Sequence, residues 1–148
     1  MSEKIMMIDI SEKEVTERKA IASGRIKLRK NTIEKIARGE IEKGNVIAAA
    51  KIAAILAAKS TPQLIPLCHP IPLTGVNVDL NLREEEVEVK VEVKAKARTG
   101  VEIEALVATA IALITVWDMV KKYEKDEAGQ YPHTRIEDIR VELKFKKR

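Results

Sequence analysis

The sequence predicts an α+β two-layer sandwich: an antiparallel four-stranded sheet with helices packed on one face. Three observations carry this. Stretches at 76–82, 87–93 and 139–145 alternate apolar and polar residues, the period-two repeat of a strand with one buried face. Two long alanine-rich runs lack that alternation and have helical length. The elements then follow in the order strand, helices, strand, strand, helix, strand, which is the order of a ferredoxin-like sandwich.

Residues 16–29, "TERKAIASGRIKLR", form the first expected strand, in which Gly24 marks a bulge or a close contact. "NTIEKIARGE" follows as a short helix, with cap-type residues Asn31 and Thr32 and a stop at Gly39. A longer helix is expected from about Asn45 to Lys59. The stretch "LIPLCHPIPL", residues 64–73, then places Cys68 and His69 among Pro66, Pro70 and Pro72. A residue before proline is pushed away from helix, so Ile65, His69 and Ile71 predict a stiff, extended connector.

Beyond it, Val76, Val78, Leu80 and Leu82 alternate with Asn77, Asp79 and Asn81, and Val87, Val89, Val91 and Val93 with Glu88, Lys90 and Glu92. A long helix is expected from about Glu102 to Glu124. In the last strand Ile139, Val141, Leu143 and Phe145 should form the buried face against Arg140, Glu142 and Lys144. Positions 46–58 are apolar apart from Lys51, and 105–117 are interrupted only by Thr109 and Thr115. Both helices are therefore apolar nearly all round. One face can cover the sheet, and the other calls for a partner. The many alanines permit close helix approach, so the expected partner is a second copy of the chain.

At 148 residues the chain reads as one domain, 1–148, large enough to bury a core without staples. A single cysteine excludes an internal disulfide. The opening residues carry charges every few positions, and no later run reaches membrane-spanning length without a charge or a proline, so a cytoplasmic protein is expected. The formal charge of +4 suits an anionic ligand without demanding nucleic acid. Stacking of bases needs clustered aromatics, and Trp117, Tyr123, Tyr131 and Phe145 are scattered. An RNA-binding sandwich would also present aromatics on its central strands, and "VEVKVEVKAKA" has none. Neither a Walker phosphate loop nor a dinucleotide glycine fingerprint is present.

Several residues could carry chemistry. Asp118 and Lys121, three apart on the long helix, share a face and read either as a surface ion pair or as a coupled acid–base pair. Their location argues for chemistry, because Asp118 follows the apolar run "IALITVW", where a carboxylate should be partly desolvated. Glu102 and Glu104 fall in the first turn of that helix, where the dipole alone favours carboxylates. Glu104 and Asp118 lie 14 residues apart, about 21 Å along a helix axis, so one small ligand can meet both only if they come from different chains. Lys43 and Gly44 precede a helix N-terminus, a combination that suits phosphate or is simply a lysine in a turn. Arg18 and Arg29 could add cations or be ordinary strand-edge arginines. Cys68, His69 and the distant His133 do not make a metal site, and Cys68 is expected to behave as a buried hydrophobe.

The blocks "KGNVIAAAKIAAILAAKSTPQLIPLCHPIPLTGVNVDL" and "RTGVEIEALVATAIALITVWDMVKKYEKD" resemble the cyclic pyranopterin monophosphate synthase family of molybdenum cofactor biosynthesis. The resemblance begins at "TERKAIASGRIKL" and fades past Asp126. It implies a ferredoxin-like fold assembled as a homohexamer, a trimer of dimers, with active sites between subunits. It also implies a lyase reaction, in which 3′,8-cyclo-7,8-dihydro-GTP is rearranged to cyclic pyranopterin monophosphate with release of diphosphate and without a cofactor. By position, Asp118 and Lys121 match the catalytic acid–base pair. Leu67, Cys68, His69, Ile103 and Glu104 match the substrate-binding segments, and Lys43, Arg18 and Glu102 match further active-site positions. Relatives often carry Met where Ile103 stands, and basic residues where Ile41 and Glu42 stand.

Overall fold

Val87, Val89, Val91 and Val93 alternate with charged residues, and all four valines are fully buried. They belong to a strand at the centre of the structure, a computed structural model that describes residues 3–148. Met1 and Ser2, the start of the charged opening stretch, lie outside the described residues. The elements are β1 (Thr16–Lys27), α1 (Lys30–Arg38), α2 (Val46–Leu64), β2 (Leu73–Leu82), β3 (Glu86–Ala97), α3 (Glu102–Glu124) and β4 (Arg135–Lys146). All strands pair antiparallel in the order β2-β3-β1-β4. This is the predicted α+β sandwich.

The helices α2 and α3 pack on each other, and α3 crosses β1, β3 and β4. Ala50, Ala54 and Ala58 on α2 and Ala105, Ala108 and Ala112 on α3 are all buried. The close approach that alanine allows is thus used inside the chain. The outward faces carry larger groups instead: Ile52 and Leu56 on α2 are 59% and 57% exposed, and Ile114 on α3 is 53% exposed. The length and apolarity of α3 would suit a membrane span, but one side of it is spent on the core.

At Gly24 the sheet and α3 approach so closely that an added Cβ would lie 2.8 Å from Leu113 Cδ1 and 2.9 Å from Ile139 Cγ1. The expected close contact is present, beside a register shift between Ser23 and Arg25. Gly24→Ala is expected to destabilise the chain by about 1–3 kcal/mol through overpacking. Measured by urea unfolding, Gly75→Ala should be close to neutral, because among the described residues nothing lies within 4 Å of the corresponding Cβ. Equal midpoints for the two variants would contradict this packing.

Four expectations need correction. The short helix starts at Lys30, so Asn31 and Thr32 lie within it rather than capping it, while the stop at Gly39 holds, with φ at 70°. Helix α2 runs to Leu64, past Pro62. A proline in the last turn costs a single backbone hydrogen bond, and Thr61 ties the turn together, its hydroxyl donating to Ala57 and its carbonyl accepting from Ile65. The connector after it is not extended throughout. Cys68 N–H donates to the Ile65 carbonyl at 3.1 Å, closing a turn with Pro66 at the second position, where its fixed φ fits.

The fourth correction concerns β4. Leu143 and Phe145 pair with Ile21 and Lys19 on the open face of the sheet, whereas Val141 lies opposite Ala22 on the helix side, so the apolar residues of β4 do not share one buried face, and all four are exposed. Two register shifts against β1 turn the strand, and Asp138 adopts a positive φ of 62° there, as a bulged edge strand allows. Lys144, opposite Ala20, consequently faces the helix layer.

Candidate active site

Charged and polar residues gather at both ends of α3. At its C-terminal end, Lys43 Nζ lies 3.1 Å from Asp118 Oδ2 and donates to the Asp118 backbone carbonyl at 3.0 Å. Lys121, one helical turn on, places Nζ 3.4 Å from Asp118 Oδ1. The structure brings Lys43, Asp118 and Lys121 into one cluster. It does not desolvate Asp118, whose side chain is 57% exposed. The run "IALITVW" ends before the carboxylate reaches solvent, so its pKa moves opposite to the burial expectation. Hydrogen bonds from Lys43 and then Lys121 hold the carboxyl below its ordinary range.

Lys43 is delivered by the loop between α1 and α2. Gly39 and Gly44 bracket that loop at positive φ, 70° and 116°, which glycine adopts without strain. Asn45 then caps α2, its Oδ1 accepting from Ala48 N–H at 3.0 Å. The lysine is therefore turned onto Asp118 rather than held at the helix N-terminus. Glu42, the residue before Lys43, pairs with Lys122.

At the N-terminal end of α3, Glu104 is only 2% exposed. Its Oε2 is 3.7 Å from Cys68 Sγ, and its Oε1 has no hydrogen-bond partner among the described residues. Burial, and then the charge of Glu102, push its carboxyl upward. A solvated charge favoured by the helix dipole does not describe it. Burial and the same carboxylate raise the Cys68 thiol to about 11. Cys68 is thus kept as a thiol and is a poor nucleophile, though it is half-buried rather than fully buried.

Gly100 makes room for Glu102, because a Cβ there would sit 1.8 Å from Glu102 Oε1. That oxygen too is unpartnered, while Glu102 Oε2 lies 3.3 Å from Lys144 Nζ. Lys144 was missed in the sequence because its place in the alternation made it a solvent-facing residue. Arg18 is buried and donates to the carbonyls of Ala97 and Arg98, just before α3. His69 Nε2 is 2.6 Å from the Ile8 carbonyl of the N-terminal arm. Leu67 and Ile103 are exposed. Among the described residues, no group of three or more His, Cys, Asp or Glu could hold a metal ion.

The two ends do not form one site within a chain. Fourteen residues of helix put about 21 Å between Glu104 and Asp118.

A sequence profile described as the MoaC family matches residues 7–146. Curated relatives agree. A protein of Pyrococcus abyssi is 59% identical over 142 residues, covering 96% of this chain and 89% of that one. One of Sulfolobus acidocaldarius is 61% identical over 140 residues, covering 95% and 98%. One of Saccharolobus solfataricus is 55% identical over 148 residues, covering 100% and 99%. Each bears the name "Probable cyclic pyranopterin monophosphate synthase".

Proposed function

The chain belongs to the MoaC family, and from that premise we propose that it is a lyase of molybdenum cofactor biosynthesis, converting 3′,8-cyclo-7,8-dihydro-GTP to cyclic pyranopterin monophosphate and diphosphate. The observation that carries the reading is the cluster of Lys43, Asp118 and Lys121. A carboxylate held ionised by two ammonium groups can accept a proton. An ammonium 3.4 Å away can return one. Ring opening and reclosure of a purine-derived substrate as a pterin needs both.

Closing the cyclic phosphate requires a ribose hydroxyl to attack the α-phosphate and expel diphosphate. The charge that builds on the leaving group is met by Lys43, by Arg18 and by the imidazole of His69. Glu104, buried and with its Oε1 unpartnered among the described residues, is placed to form a hydrogen bond with the heterocycle. Leu67 and Cys68, in the turn after α2, and Ile103 beside Glu104 contribute main-chain and apolar contacts, and Glu102 completes the acidic wall.

This reading requires two subunits. Glu104 and Asp118 meet one substrate only when the helices of two chains run antiparallel across a two-fold axis. The exposed Ile52, Leu56 and Ile114 supply an apolar surface for such a contact, and a trimer of these dimers is the proposed assembly.

The test is incubation of the purified protein with the cyclised GTP intermediate, followed by measurement of diphosphate and of the pterin product. Stoichiometric appearance of both is the expected result. No conversion under conditions where a characterised relative works would overturn the reading.

A further inference from the structure

Four consecutive residues at the end of α3 each hold a polar partner. Lys121 meets Asp118. Lys122 pairs with Glu42. The Tyr123 hydroxyl accepts the backbone N–H of Glu42 at 2.9 Å. The Glu124 carboxylate accepts from Arg29 N–H and from the hydroxyls of Thr32 and Thr134. Two of these contacts fall on Glu42, the residue before Lys43.

The loop that carries Lys43 is bracketed by glycines and has few anchors. Ile41 is buried, and the Gly44 N–H closes a turn onto the Ile41 carbonyl at 3.0 Å. The ion pair between Glu42 and Lys122 joins two exposed side chains and restrains the backbone little. The tyrosine differs in kind. Its ring packs against the core, with the ammonium groups of Lys35 and Lys122 5.5 and 5.6 Å from its centroid, so its hydroxyl is a fixed point. A fixed acceptor on the Glu42 N–H sets where the next residue starts.

We propose that Tyr123 is a positioning residue for the reaction: by accepting the Glu42 N–H, its hydroxyl holds the loop in the register that places Lys43 on Asp118. The inference rests on the reading of Asp118 and Lys43 as reacting groups. Its test is chosen to stand without turnover.

Tyr123→Phe keeps the packed ring and removes only the acceptor. The charged groups facing Asp118 are Lys43 from the loop and Lys121 from its own helix, and Lys43 lowers its titration most. Loosening Lys43 should therefore raise the midpoint of the Asp118 carboxyl, read by carbon-detected NMR on the unliganded protein. Lys43→Ala should raise it further, and Tyr123→Phe added to Lys43→Ala should change nothing more. In turnover, Tyr123→Phe should lower kcat/KM about three- to tenfold, the effect of one net hydrogen bond, and again add nothing in the Lys43→Ala background. A midpoint unmoved by Tyr123→Phe, or a shift of equal size with and without Lys43, would overturn the positioning role. If the wild-type protein fails to turn over the cyclised nucleotide while the Asp118 shifts behave as stated, the substrate assignment fails and the positioning role stands.

Discussion

Asp118→Asn is expected to reduce turnover by about a hundred- to ten-thousand-fold, the range for loss of a general acid–base group, and to leave the fold intact. The carboxylate is exposed and supports no part of the core, and its partners are two lysines that are themselves close to half exposed. Substitution at such a surface position changes stability by about 0.5 kcal/mol or less. The thermal midpoint should therefore stay near that of the wild type while diphosphate release collapses. Activity within about tenfold of wild type would remove Asp118 from the chemistry and return the three-residue cluster to an ordinary surface ion pair.

Glu124→Ala should do the reverse, damaging the fold first. Glu124 is fully buried and gathers three segments: the start of α1 through Arg29 and Thr32, the end of α3, and Thr134 at the entrance to β4. Arg29 is the residue preceding α1 and offers no side-chain cap of its own, so the carboxylate supplies the acceptor that the helix start lacks. Removing it strands a backbone N–H and two hydroxyls, at a cost of about 3 kcal/mol. For a chain of this size that corresponds to a melting point lower by about 6–12 °C, measurable by calorimetry. A shift of less than about 2 °C would mean that water or neighbouring groups satisfy these donors.

What the sequence disclosed and what it hid divide along physical lines. Period-two alternation placed Val87–Val93 in the core because β3 is a central strand with regular partners on both sides. The same alternation put the apolar residues of β4 on one face, whereas a register shift between Ile21 and Ala22 sends Leu143 and Phe145 to the other, and such a shift leaves no trace in hydropathy. The helix expected to end near Lys59 runs on past Pro62 to Leu64, because a last-turn proline is tolerated. At the candidate site, Asp118 and Lys121 were legible as a pair because helical spacing brings them together. Lys43 joins them from 75 residues away, which spacing cannot show. Glu124 and Tyr123 meet partners up to 95 and 81 residues distant, and in the sequence they read only as a helix end and a scattered aromatic. The direction of the Asp118 shift was also hidden, since it depends on where the apolar run meets solvent.

The central claim is that two chains build one site, and mixing of subunits tests it most directly. Asp118→Ala and Glu104→Ala proteins should each be nearly inactive. When their subunits are exchanged in equal amounts, one site of each mixed dimer carries both lesions and the other carries neither. Random exchange across a closed two-fold interface should therefore restore roughly a quarter of the wild-type sites. Recovery near that fraction is the predicted result. Subunit exchange verified by mass spectrometry, with no recovered activity, would contradict the shared site.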